Sequence, residues 1–175
     1  MKQKKETLVI NILGGPGCGK STTAAALFAL LKNQDVDCEL ITEFAKQLVW
    51  EKRKETFKDE IYLFAKQEHR LAMVNGKVDV IITDRPLILT CLYGKDNDSL
   101  CDLCYQEFNH YHNVNFVLTR EKKFNPNGRN QTLEQAEAID KQIVELLNDY
   151  DIPYITVKGD ANAAEAIMNI LRKKK

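Results

Sequence analysis

Five short runs rich in β-branched and aliphatic residues recur along this chain, and the stretches between them carry helical rather than alternating patterns. The runs are TLVINIL (Thr7 to Leu13), CELI (Cys38 to Ile41), VDVIIT (Val78 to Thr83), VNFVLT (Val114 to Thr119) and IPYITV (Ile152 to Val157). Near-continuous apolar strands separated by helices are buried on both faces, so the pattern specifies a three-layer α/β architecture: a five-stranded parallel sheet between two layers of helices. Ser21 to Leu31 is an alanine-rich helix, and Phe57 to Val74 is a second, with Ile61, Phe64, Ala65, Leu71 and Ala72 as its apolar face. Leu133 to Tyr150 follows Thr132, Gln135 completes a capping box, and Leu133, Ala136, Ile139, Ile143 and Leu146 repeat at helical spacing. Ala161 to Leu171 is a short closing helix capped by Asp160. With 175 residues and 44% hydrophobic content, the chain holds enough apolar side chains for one core. It shows no internal repeat and no dividing linker, so residues 1–175 are expected to form a single domain.

Charge narrows the partners. Lys plus Arg (25) equal Asp plus Glu (25), and the pI is near 6.8. That balance lacks the field of a dedicated nucleic-acid or anionic-membrane surface, so any anion must be gripped locally. The longest nearly unbroken apolar run, Ala24 to Leu31, is too short to cross a bilayer, and the lysine-rich start (Met1 to Lys5) leads into a strand-like run rather than a signal peptide. Five scattered cysteines (Cys18, Cys38, Cys91, Cys101, Cys104) are an odd number and fit reduced thiols, so a cytoplasmic setting is expected.

The sharpest chemical signal is GGPGCGKS, Gly14 to Ser21, which fits G-x-x-x-x-G-K-[ST] with the required strand before it and helix after it. Glycines let successive backbone N–H groups turn inward around a phosphate, the following helix adds its positive end, and Lys20 reaches the β and γ phosphates. Gly15, Pro16, Gly17, Cys18, Gly19, Lys20, Ser21 and Thr22 form the expected ATP site, with the Ser21 hydroxyl on Mg²⁺. Cys18 is also expected to be reactive, because a helix N-terminus lowers a thiol pKa.

This loop, a P-loop, identifies a nucleoside triphosphate and leaves its use open. No N-K-x-D base-reading segment follows the fourth strand, which argues against a GTPase switch. The chain is also too short for the helical lid of ring-forming ATPases, and it has no LSGGQ segment. Four further features remain. VIITDRP sets Asp84 and Arg85 at the end of a buried strand. LITEFAKQLVW puts Glu43 at the end of the second strand. FAKQEHRLA carries Gln67 and Arg70 on one helix face. REKKFNPNGRNQ, Arg120 to Gln131, follows the fourth strand and offers Arg120 and Arg129, in a chain with six arginines against nineteen lysines.

Together these features resemble the P-loop kinases of nucleosides and nucleotides. The Asp84–Arg85 pair looks like the family's D-R or E-R pair, Glu43 like the second-strand carboxylate of deoxynucleoside kinases and of small AAA-type phage ATPases with a T-E-[YF]-A-[KR] signature, and LLNDYDIPYITV like the last helix and strand of ribosylnicotinamide kinase domains. The resemblance spans roughly Thr7 to Val157 and implies strand order 2-3-1-4-5, with a short lid around 120–131.

It further implies Mg-ATP as co-substrate and a small nucleoside or nucleotide acceptor. Lys20, Mg²⁺, Arg129 and Arg120 would neutralise the phosphates, Glu43 or Asp84 would orient or deprotonate the nucleophile, and Asp84 would hold Mg²⁺ through water. Glu43, Gln67, Arg70 and Arg85 would contact the acceptor, a deoxynucleoside or nicotinamide riboside. A nucleoside monophosphate kinase, with Arg70 or Arg85 on the acceptor phosphate, and an ATP-driven switch acting on a protein partner remain as alternatives. Oligomeric state is left open, a homodimer included.

Each residue also has a plainer reading. Asp84 can cap the turn before Pro86, Glu43 can sit in a first helical turn, and Gln67 and Arg70 can be solvated surface. Cys101 and Cys104 with His110 and His112 do not match zinc spacing, and DSLCDLCYQEFNHYHN is more simply an amphipathic helix.

Overall fold

The computed structural model describes residues 6–94, 96–121, 123 and 132–173. Its strands are β1 (Leu8–Leu13), β2 (Cys38–Ile41), β3 (Val80–Thr83), β4 (His112–Thr119) and β5 (Ile155–Lys158), and all pair in parallel in the order β2-β3-β1-β4-β5. The expected sheet order and the parallel pairing are therefore present. Strand boundaries shift by a few residues. β5 begins after Pro153, whose carbonyl accepts a hydrogen bond from Asn115 Nδ2 at 3.0 Å.

Helices cover both faces. On one side lie α1 (Lys20–Lys32) and α8 (Ala163–Lys173). On the other are α4 (Glu60–Val74), α5 (Thr90–Tyr93), α6 (Asp98–Asn109) and α7 (Leu133–Asp149), with α2 (Phe44–Trp50) and α3 (Lys54–Phe57) between β2 and α4. The period-two alternation of β1 divides the core between the faces. Ile10 and Ile12 join Ala24, Leu27, Leu31, Ile167 and Met168 on the α1/α8 side. Val9 and Leu13 join Phe64, Leu71, Phe108, Ile143 and Leu147 on the other.

Several local expectations are met. Thr132 caps α7 with the reciprocal Gln135 contact of a capping box. Asp160 accepts the Asn162 N–H at 2.8 Å just ahead of α8, although that helix begins at Ala163 rather than Ala161. Cys101 and Cys104 lie buried in α6, which is an amphipathic helix.

The Phe57 to Val74 expectation needs correction. Asp59 caps a new helix by accepting the Tyr62 N–H at 3.0 Å, so α4 starts at Glu60, and α3 is a separate turn. The buried face of α4 also differs from the expected one: Ile61 is 60% exposed and Ala65 and Ala72 are exposed, whereas Leu63, Phe64, Gln67 and Leu71 form the inward stripe. No described helix is long and apolar enough to cross a membrane.

Candidate active site

Among the described residues, the segments after β1, β2, β3 and β4 that carry expected site residues gather at the carboxyl ends of the parallel strands, where an open α/β sheet forms its crevice. The loop after β1 closes on α1 at Gly19, the helix N-cap, whose φ of 105° is a left-handed value suited to glycine. Lys20 occupies the first helical position, and its Nζ donates to the Gly15 carbonyl at 3.0 Å, so the ammonium folds back over the loop. Ser21 and Thr22 are exposed on the first turn of α1. Cys18 is different. Its thiol is fully buried in the core on the α1/α8 side, so the expected reactivity is corrected: close packing denies reagents access.

Across the crevice, β3 ends in Thr83, Asp84 and Arg85, all buried. Asp84 Oδ1 accepts the Glu43 N–H at 2.8 Å, which ties the end of β2 to the end of β3 and starts α2 at Glu43. Glu43 makes no side-chain cap, and its carboxylate, about a third exposed, lies instead towards Arg85. The Thr83 hydroxyl accepts the Arg85 N–H at 3.2 Å and a Gln67 Nε2 hydrogen at 3.3 Å.

Gln67, expected to read an acceptor base, is 3% exposed. Its Oε1 accepts the Phe44 N–H at 3.3 Å, so both ends of the amide are engaged within the protein. Arg70 lies on the same helix face. Its guanidinium stacks 4.9 Å from the Phe44 ring centroid and donates Nη1 to the Thr42 carbonyl at 3.3 Å. Gln67 and Arg70 thus hold the turn between β2 and α2 from one side.

Arg85 reaches into a pocket of carboxylates. Nη1 lies 3.9 Å from Glu43 Oε1, Nη2 lies 3.5 Å from Glu60 Oε2, and the guanidinium carbon sits 4.6 Å from the Tyr93 ring centroid. Glu60 was not singled out by sequence, where it looks like an ordinary first-turn glutamate. Its Oε2 is buried without a hydrogen-bond partner. Burial pushes its carboxyl above the usual range; Arg85 pulls it down, and Glu43 and Asp59 push it up again.

On the opposite flank, Arg120 at the end of β4 pairs with Asp140 of α7 at 2.8 Å. Sequence reasoning passed over Asp140 although a signal was present: a carboxylate on the stripe formed by Ala136, Ile143 and Leu147. Arg129 and most of the expected 120–131 lid lie outside the described residues. Cys101 and Cys104 are buried in α6, while the exposed His110 and His112 pair with Glu107 and Glu6. Among the described residues no group of three or more His, Cys, Asp or Glu side chains is arranged to hold a metal ion.

Residues 9–164 match a sequence family described as an AAA domain. No curated protein matches the chain. Among solved structures, deoxyadenosine kinase from M. mycoides, with products dCMP and a flexible dCDP bound, is 21% identical with a TM-score of 0.57, over 94% of this chain and 99% of that one. Thymidylate kinase from Ehrlichia chaffeensis is 13% identical with a TM-score of 0.60, over 95% and 99%. A NadR protein in complex with NR is 13% identical with a TM-score of 0.59, over 93% of this chain and 51% of that one. What they share with this chain is the fold, a P-loop kinase sheet with flanking helices.

Proposed function

The chain belongs to the AAA-domain family, and from that premise we propose that it transfers the γ-phosphoryl group of Mg-ATP to a hydroxyl of a small nucleoside-type acceptor, a deoxynucleoside or nicotinamide riboside. The fold shared with a deoxyadenosine kinase, a thymidylate kinase and a NadR protein bound to NR supports a nucleoside-type or nucleotide-type acceptor. One observation carries the choice of a hydroxyl over a phosphate acceptor. Arg85, the cation best set to hold an acceptor phosphate, already lies between Glu43 and Glu60. Two carboxylates around one guanidinium leave the acceptor side with excess negative charge, which disfavours a second phosphate and suits a neutral sugar hydroxyl.

In this reading Gly15 to Thr22 cradle the triphosphate and Lys20 swings from the Gly15 carbonyl to the γ-phosphate. Glu43 accepts the proton of the attacking hydroxyl. Ser21 and Asp84 would hold Mg²⁺, and the fit is chemical: a solvent-facing hydroxyl and a carboxylate at the crevice are the hard oxygen donors this ion takes. The ion, when bound, would supply neutralisation of the triphosphate's charge. Arg129 is the lid arginine of this reading. The direct test is ATP consumption across a panel of nucleosides, nucleoside monophosphates and a no-acceptor control. Strong stimulation by a nucleoside is expected. A rate independent of every acceptor would sink the kinase reading in favour of an ATPase acting on a protein partner, and stimulation by monophosphates alone would replace the acceptor class.

A further inference from the structure

Asp140 stands in the buried stripe of α7, one turn after Ala136 and ahead of Ile143 and Leu147. A carboxylate there requires partners, and both of its oxygens have them. Oδ1 accepts the Gly15 N–H at 2.5 Å, and Oδ2 accepts the Nε hydrogen of Arg120 at 2.9 Å and lies 2.8 Å from its Nη2 in an ion pair. The same guanidinium donates Nη1 to the Pro16 carbonyl at 2.9 Å and Nη2 to the Ala136 carbonyl at 3.4 Å. The side chains are 11% (Arg120) and 25% (Asp140) exposed. The loop comes so close that a Cβ on Gly15 would lie 2.6 Å from both Asp140 Oδ1 and the Ala136 oxygen. Glycine at this position is thus required by α7, independently of any phosphate.

Two features of this arrangement pull against a simple anion site. The fork of Arg120, expected from sequence to touch ATP, is engaged by protein acceptors. A carboxylate also stands beside a loop that receives a polyanion, which Coulomb repulsion alone makes unfavourable.

We propose that Asp140 and Arg120 form a brace that fixes the first half of the phosphate loop against α7, so that Asp140 is a positioning residue for nucleotide binding and Arg120 acts through it rather than on phosphate. The proposal rests on the reading of Gly15 to Thr22 as an ATP site. Its signature is a sign. If Asp140 acted only through its charge, or if Arg120 gripped phosphate directly, removing Asp140 would leave nucleotide affinity unchanged or raise it. A brace predicts the reverse, because a loop released from α7 must be ordered again when nucleotide binds.

The experiment is calorimetric titration of the full chain with Mg-ATP, with no acceptor present, alongside thermal melting. Asp140→Ala and Arg120→Ala are each expected to weaken binding by roughly tenfold, and the double variant to be no weaker than either single one, as for two parts of one device. Asp140→Asn, which keeps an acceptor for the Gly15 N–H, is expected to fall between wild type and Asp140→Ala. Should an alanine variant fail to fold, Asp140→Asn and Arg120→Lys carry the same comparison. Folded Asp140 variants that melt earlier yet bind Mg-ATP as tightly as wild type, or more tightly, would overturn the brace and leave the nucleotide reading standing. A wild-type chain that binds no Mg-ATP would overturn both.

Discussion

The two flanks of the crevice are built by different means. The phosphate-facing part of the donor flank is a backbone device, braced against α7 by Arg120 and Asp140: the loop after β1 presents amides, Gly19 supplies the left-handed turn into α1, and among the described residues Lys20 bonds only the loop's own carbonyl. The acceptor flank is a side-chain device, in which Arg85 from the end of β3 meets Glu43 from the end of β2 and Glu60 from the first turn of α4. The difference teaches where chemistry and stability overlap. Lys20 can be removed from the donor loop with little structural loss, whereas on the acceptor flank each charge is part of what satisfies its neighbours.

The sharpest way to break that contrast is Lys20→Ala. We expect kcat to fall by about 10³ or more, because a cation aimed at developing γ-phosphoryl charge is lost. The melting temperature should stay near that of wild type, since among the described residues the Lys20 side chain makes a single part-buried hydrogen bond. Near-normal turnover would remove the loop from the mechanism, and a collapse of the fold would remove the contrast.

Glu43→Gln comes next. A base acting on a hydroxyl contributes typically about 10² to 10⁴ in rate, so kcat should drop by at least about 10² with modest change in KM. Asp84 bonds the Glu43 backbone and not its carboxylate, so the turn survives the change. A variant with wild-type kcat would exclude Glu43 as the base.

How much of each flank was legible in the chain follows from the same difference. GGPGCGKS is contiguous, and local backbone needs write themselves into neighbouring residues, so the donor loop, its strand and its helix were readable in order. The capping box at Thr132 and Gln135 was readable for the same reason. Glu60 and Arg85 are 25 residues apart, and Arg120 and Asp140 are 20 apart. In each case one partner looks like an ordinary helical carboxylate until the sheet brings the other beside it. Gln67 shows the converse: its residue type and helix position suggested base reading, and only tertiary packing reveals that its amide is taken up by Phe44 and Thr83. The 60% exposure of Ile61 has another cause: within the single helix α4 the buried stripe runs through Leu63, Phe64, Gln67 and Leu71, and a count of apolar residues that skips the polar Gln67 centres the face towards Ile61, Ala65 and Ala72 instead.

A third variant tests the acceptor flank as structure. Arg85→Ala leaves Glu60 largely enclosed without its facing cation, and partial exposure keeps the loss below that of a fully buried pair, so unfolding free energy should fall by roughly 2 kcal/mol. Denaturant midpoints at neutral pH measure it. A loss as small as that expected for Lys20→Ala would show that the two flanks are built alike.

The smallest effect, and the finest test, is the pH dependence that Glu60 imposes. Burial is the largest influence on its carboxyl and raises the folded-state pKa above the ordinary glutamate value of 4.5, with Arg85 only partly offsetting this. The folded state therefore holds the Glu60 proton more tightly than the unfolded chain does. Between pH 4.5 and that raised value the native state binds more protons, so this group's stabilisation is complete below pH 4.5 and is lost as pH rises through the folded pKa. Glu60→Gln cannot ionise. It keeps an amide oxygen that can face Arg85, and Glu43 still supplies the opposite charge at 3.9 Å. The variant should accordingly match wild type near pH 4.5 and become the more stable of the two towards neutral pH, a divergence that urea midpoints at several pH values will resolve. If the variant instead loses stability relative to wild type as pH rises, attraction to Arg85 outweighs burial, Glu60 is held ionised in the native state, and the crowding of charge that disfavours a phosphate acceptor is greater still.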